Sequence, residues 1–280
     1  MISQSKKNNR TGIKDNRGAA LITVVIILLF ISILCTLVLY ISSVNYRMKK
    51  ADYMAKVSFY SSEIPLETMQ TRLVEPASIS YSYAMQLTNS KYASYANVND
   101  VKQHFYHYFY DHLVKTLHNT YSSGIDINTN DFVKDLMSDL TGVPSTQIFT
   151  GDDGTYHSFS GDAFVNTLAT ANKFVGADGM AMTYIVLPRY NNDGDTCYFN
   201  DFITLELEDP ATHVAYDDDH VRVIFHDIYV VTVENNTTSV IRTDVAVQLP
   251  PVDWAGGTGA AGRTEFNANE MIFYVNWQKR

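Results

Sequence analysis

Hydrophobic positions follow three different rhythms along the chain. The run Ala19–Ile41 (AALITVVIILLFISILCTLVLYI) spans 23 positions and is interrupted only by Thr23, Ser32 and Thr36. No charged side chain occurs between Arg17 and Arg47, a gap of 29 residues. A bilayer core takes about 20 apolar residues in helical form. Hydroxyls within such a run can bond back to the preceding turn. The pattern predicts a membrane-crossing helix. Beyond Ile41 the apolar positions thin to three- to four-residue steps: Val44, Met48, Ala51/Tyr53, Ala55, Val57/Phe59 and Ile64. That is a helical stripe. Pro65 is the first proline, and the residue before a proline disfavours helix. Residues 19–64 are therefore expected to form one transmembrane and stem helix, ~68 Å long if it reaches about Glu63.

Residues 65–178 read as a mainly helical block. Asn97-Val98-Asn99-Asp100 offers caps before a helix over Val101–His118. Thr129-Asn130-Asp131 precedes a helix over Phe132–Leu140, stopped by Thr141-Gly142-Val143-Pro144. Ser160-Gly161-Asp162 precedes a third over Ala163–Phe174, and residues 150–155 form a turn. Residues 179–280 change character. Met182–Leu187, Phe202–Leu207, Val221–Val233, Ser239–Leu249 and Met271–Trp277 are rich in β-branched and aromatic residues. Alternation is clearest over Thr243–Gln248, and Glu234–Thr238 reads as a hairpin connection. An antiparallel sheet with one apolar face needs a cover, and an amphipathic helix supplies one. The expected fold class is α+β: a long N-terminal helix, then a globular head made of a helical insertion and an antiparallel β-sheet.

Charge refines this layout. The whole chain carries −9, with 30 acids against 21 Lys and Arg. Residues 1–18 hold Lys6, Lys7, Arg10, Lys14 and Arg17 against Asp15, a formal +4, leaving −13 for residues 19–280. This basic leader favours an N-terminus in the cytoplasm and an acidic head outside. An acidic head also lacks the basic face that nucleic acid requires. The apolar run is too long for a secretory signal, whose apolar region has 7–15 residues. Cys35 sits inside the run behind Leu34, so a lipoprotein signal fails too. Cys35 and Cys197, the two cysteines, exclude a disulfide scaffold and a four-cysteine zinc site.

The junction Lys14-Asp15-Asn16-Arg17-Gly18 abuts Ala19-Ala20-Leu21-Ile22-Thr23-Val24 without a linker. A basic leader, a glycine and an immediate apolar helix resemble the class III signal of type IV prepilins. The resemblance covers roughly residues 10–65. It implies cleavage after Gly18 by a membrane-embedded prepilin peptidase. Ala19 then becomes the mature N-terminus, which the family usually N-methylates. Most members have Phe first and Glu fifth after the cut; here Ala19 and Thr23 stand there. The tip-type subunit of type II secretion also lacks that Glu, so Thr23 favours a minor, tip- or initiation-type subunit over a major pilin. The implied partners are other pilin subunits through the N-terminal helix, the peptidase, the inner-membrane assembly platform and membrane lipid. The location implied is the cytoplasmic membrane, with the head at the cell surface or on the fibre after assembly. The alternative is an uncleaved single-pass protein whose ectodomain binds a ligand or surface.

Little in the chain points to catalysis. No Gly-x-Ser-x-Gly elbow, His-Glu-x-x-His or phosphate loop occurs, so an anchored hydrolase ranks last. His104, His107 and Asp111 fall at i, i+3 and i+7, but two turns span ~10 Å, too far for one ion. They are assigned to the polar side of their helix, with Val101, Phe105, Tyr108 and Leu113 facing the core. The loop Asn191-Asn192-Asp193-Gly194-Asp195, with Asp201 nearby, is oxygen-rich, as calcium requires. It lacks EF-hand spacing and reads first as a turn. Asp193, Asp195 and Asp201 are the weak metal candidates, with calcium the one cofactor considered. Residues 217–220 form a second acidic cluster, residues 255–262 a glycine-rich loop, and Asn235-Asn236-Thr237 a glycosylation sequon.

Overall fold

A computed structural model describes residues 17–121, 124–127, 129–151, 161–176, 180–188, 202–207, 221–234, 237–250, 252, 254 and 267–279. The protein is α+β, with a long apolar N-terminal helix and a six-stranded mixed sheet. The chain divides into two units, one ending at Tyr53 and one starting at Met54.

Helix α1 runs Arg17–Ser90 and contributes to both units. It does not stop at residue 64. It passes through Pro65 and Pro76, although an internal proline costs about 3 kcal/mol. Packing overrides that cost. Both prolines are buried, within a stripe that includes Ser58, Ser62, Leu66, Met69, Leu73, Ala77, Ala84 and Thr88. Pro65 leaves the Ser61 carbonyl without its helical donor, and the Thr183 hydroxyl donates to that carbonyl at 3.5 Å. The stripe is also phased differently from the expected one. Ile64 is exposed, whereas Ser58 and Ser62 are fully buried. The small serines let the helix approach the sheet closely enough for Ser62 Oγ to lie 2.7 Å from Thr232 Oγ1.

Helix α2 spans Val98–Tyr121 and α3 spans Asn130–Thr141. Each starts at a cap visible in the sequence. The Asn97 side chain accepts from the Asp100 N–H, and the Asp100 carboxylate accepts from the Ala96 N–H, both at 3.0 Å. The Thr129 hydroxyl accepts from the Phe132 N–H at 3.2 Å. Gly142 closes α3 at φ 76°, a left-handed position that favours glycine. Helix α4 covers Gly161–Thr170.

The strands are β1 (Ile148–Thr150), β2 (Met182–Leu187), β3 (Ile203–Glu206), β4 (Arg222–Glu234), β5 (Thr237–Gln248) and β6 (Ile272–Lys279), with a short α5 (Ala268–Met271) before β6. The order is β1-β2-β4-β5-β6, and β3 pairs with the first part of β4. The sheet is not purely antiparallel. β1, placed by the sequence pattern in the helical block, pairs parallel with β2. Three residues are too short to display an alternation.

The sheet is covered on both faces rather than one. Leu66, Met69, Leu73, Phe105, Phe109, Phe132 and Leu136 from α1, α2 and α3 share a core with Ile185, Val223, Phe225, Val230, Ile241 and Val245. On the opposite face, Phe164, Val165 and Leu168 of α4 pack with Tyr184, Val186, Tyr229, Val231 and Val233. This is why β4 reads as a continuous apolar run through Ile228–Val231. Gly161 permits the second layer, because a Cβ there would collide with the Tyr229 ring. Edge strand β6 is pinned to α1. The Gln70 side-chain amide donates to the Ile272 carbonyl at 2.6 Å, and Lys279 Nζ sits 3.9 Å from the Phe59 ring centre. Tyr274 donates to Gln70 Oε1, and its phenol is pushed up to about 12 by burial, with the Glu67 and Glu63 charges adding to the shift.

Two bulges interrupt the central strands at one level. His226 and Asp227 of β4 oppose Asp244 of β5, and Asn276 and Trp277 of β6 oppose Thr243. Asp227 (φ 51°) and Asn276 (φ 56°) both take left-handed backbone. The buried Asp244 carboxylate joins them. One oxygen accepts from the Asp227 N–H at 2.7 Å, and the other accepts from the Asn276 side-chain amide at 2.6 Å. Arg242 donates to the Asp227 carboxylate at 2.7 Å, and that bond holds the guanidinium above its ordinary pKa.

Between α1 and α2, His112 stacks on Tyr83 with ring centres 4.0 Å apart, and its Nδ1 lies 3.1 Å from Ser80 Oγ and 3.2 Å from Thr116 Oγ1. Burial, then the nearby Lys115 charge, push its pKa below the ordinary 6.5. The unfolded chain therefore binds this proton more readily than the folded one. Stability should fall as pH drops through about 6.5 and continue falling to the folded-state value. Thermal melts at stepped pH should show a smaller acid loss for His112→Gln than for the wild type. Equal losses would remove His112 from the acid response.

Candidate functional site: an exposed apolar helix and its N-terminal junction

The first unit carries the strongest functional signal. Every described side chain from Ala20 to Lys50 is exposed, and none of the most apolar window of α1 is buried. Leu21, Ile22, Ile26, Phe30, Val38 and Leu39 each expose more than half of their surface. A soluble domain does not leave an apolar surface of this extent in water. By length and composition, this helix can cross a membrane.

The internal polar groups behave as the sequence implies. Ser32 Oγ donates to the Leu28 carbonyl and Thr36 Oγ1 to the Ser32 carbonyl, both at 2.8 Å. Each hydroxyl is satisfied within the helix and presents no unpaired donor to lipid. Thr23 is exposed, and it too has an interaction partner. Cys35 is an exposed free thiol in the same stretch.

The described part of α1 includes Gly18 and Ala19. Glycine is the weakest helix former after proline. A helix opens more readily at such a residue than at others. Residues 1–16 lie outside the described set.

In the head, His104, His107 and Asp111 are exposed, while Val101, Phe105 and Leu113 are buried and Tyr108 is half-buried. The helix thus turns the faces expected of it. His104 stacks on Tyr95 at 4.9 Å and lies 3.5 Å from Asp100. Among the described residues, no group of three His, Cys, Asp or Glu side chains could hold a metal ion. Asp193, Asp195 and Asp201 lie outside the described residues, as do Cys197, residues 217–220, Asn235, Asn236 and residues 255–262.

Sequence reasoning missed the Asp244 junction. Asp244 had been read as part of a plain alternation, yet it is buried and holds two bulges. The available signal was composition: Asp227 and Asp244 are poor strand formers inside two otherwise β-rich runs. Comparison with protein-family models, curated proteins and solved structures returns no match.

Proposed function

We propose that this chain is a structural, minor pilin-like subunit of a bacterial type IV pilus or a type II-secretion-like pseudopilus. Prepilin peptidase cuts it after Gly18, Ala19 becomes the N-methylated terminus, and the subunit helps to initiate or cap fibre assembly. The observation that carries the reading is the wholly exposed apolar stretch of α1, which in the sequence follows Gly18 and a basic leader without a linker. Before assembly that surface belongs in lipid. In a fibre it packs against the same helix of neighbouring subunits. The head has no part in catalysis in this reading; its role is to be displayed outside.

Thr23 sets the position in the fibre. A Glu at this place would pair with a neighbour's N-terminal amine, and a buried charge needs such a partner. Thr23 cannot supply that pair, so shaft incorporation is disfavoured. Gold labelling of an epitope-tagged wild-type chain should mark fibre ends in few copies. Thr23→Glu should spread the label along the shaft. Continuous shaft labelling by the wild type would exclude the initiating or capping role.

A further inference from the structure

Edge strand β6 and helix α1 border a cavity of about 260 Å³, lined by Glu63, Leu66, Glu67, Tyr274 and Trp277. Pockets for drug-sized ligands run from about 300 Å³ upward, so this one suits a single side chain. Tyr274 and Trp277 form an aromatic corner, with ring centres 5.5 Å apart and planes tilted by 55°. Glu63 and Glu67 lie one helical turn apart, where like charges repel. Neither carboxylate has a hydrogen bond or ion pair among the described residues. Both charges act on the Tyr274 phenol, which places the two carboxylates and the ring at one site.

Aromatic faces and unpaired carboxylates select the same ligand, a cation. The neighbouring turn shows that preference directly. Lys279 Nζ sits 3.9 Å from the centre of the Phe59 ring, four residues before Glu63. Lys279 is held there and is not part of the cavity lining. Guanidinium fits the cavity better than ammonium. It is flat, it stacks on aromatic rings, and its fork of N–H donors matches a carboxylate.

The backbone beside the cavity indicates what carries the cation. Among the described strands, β6 pairs with β5 alone. The Ile272 carbonyl points away from β5, toward the Gln70 amide, and the Val275 carbonyl points to β5, where the Thr243 hydroxyl reaches it at 3.1 Å. Backbone groups alternate sides along a strand, so the Tyr274 N–H and C=O face the unpaired edge. A strand added at that edge puts the residue opposite Tyr274 on the same face as the Tyr274 ring, with Cβ atoms about 5 Å apart. We propose that this edge binds an extended segment of a partner protein, and that the cavity anchors the segment through one arginine opposite Tyr274. The site lies wholly within the second unit and is independent of processing at Gly18.

The test uses the full-length chain in detergent micelles and the peptide acetyl-Thr-Val-Arg-Val-Thr-amide, with citrulline replacing arginine as the uncharged control. Trp254 is buried and Trp277 is 38% exposed, so a ligand in the cavity alters the long-wavelength part of the tryptophan emission. The arginine peptide should bind about ten-fold more tightly than the citrulline peptide, the factor that a cation–π contact and an exposed ion pair supply together. Glu63→Gln/Glu67→Gln should bring the two peptides within about two-fold of each other. Neither glutamate is buried, so that variant keeps its fold. Glu75→Gln/Asp111→Asn removes two exposed charges elsewhere and should keep the wild-type preference. Propylguanidinium has no backbone to pair with β6 and should bind at least about ten-fold more weakly than the arginine peptide. Equal binding of the two peptides by the wild type, a full preference in the Glu63/Glu67 variant, or its loss in the Glu75/Asp111 variant would each overturn the proposal. So would propylguanidinium binding as tightly as the arginine peptide, which would make the cavity a small-molecule site.

Discussion

Asp244→Ala lowers the unfolding free energy by about 3–5 kcal/mol and the melting temperature by roughly 10 °C. The expectation follows from what the carboxylate holds. It accepts two hydrogen bonds in a buried position, at 2.7 Å from the Asp227 N–H and 2.6 Å from the Asn276 amide. A hydrogen bond to a charged group contributes about 1.5–3 kcal/mol, and an abandoned buried donor adds its desolvation cost. Both donors come from residues with left-handed backbone, a conformation that costs a non-glycine residue about 1–3 kcal/mol unless its surroundings hold it. Removing Asp244 therefore releases two strained residues at once. Asp244→Asn should fall between: its oxygen still accepts from Asp227, but its NH2 then faces another NH2. Thermal melts of the full-length chain decide it. A shift below about 2 °C for the alanine variant would mean that the bulges hold themselves.

The second large effect is all-or-none. Gly18→Leu should leave the chain uncut and keep it out of fibres, with membrane insertion unchanged. In the proposed processing, the helix at Gly18 must open to present an extended peptide to the protease. Glycine resists that opening least and brings no side chain to the cleft. Leucine stabilises the local helix by about 0.8–1 kcal/mol in propensity, a minor term. The dominant one is steric exclusion of a branched side chain from the site that accepts glycine. Immunoblots of cells expressing a prepilin peptidase should show the shorter species for the wild type alone. An equally processed Gly18→Leu chain would remove the junction from the mechanism.

The sequence made some features legible for a physical reason. The apolar helix was readable because its signal is a long run with no competing pattern. The caps of α2 and α3 were readable because Asn97, Thr129 and Gly142 act locally, within three residues of the group they satisfy. Strand β2 lies where its apolar run predicts, over Met182–Leu187. What was lost depended on distant partners. Helix α1 continues past Pro65 because residues more than a hundred positions away, Thr183 and Thr232, receive its serine stripe and its freed carbonyl. β1 is a strand only because β2 lies beside it. Asp244 looks like a surface residue in an alternating strand until both neighbouring strands are in place. The exposed apolar stretch of α1 owes its form to local sequence rather than to distant partners, and for that reason it was more legible than the sheet and its covering helices.

The proposed maturation turns on one peptide bond, Gly18–Ala19. Intact-mass and N-terminal fragment analysis of the protein, purified from membranes containing a prepilin peptidase, tests it most directly. A mature chain that starts at Ala19 and carries one added methyl group is the predicted result. A chain that retains residues 1–18, or starts at any other position, would contradict it.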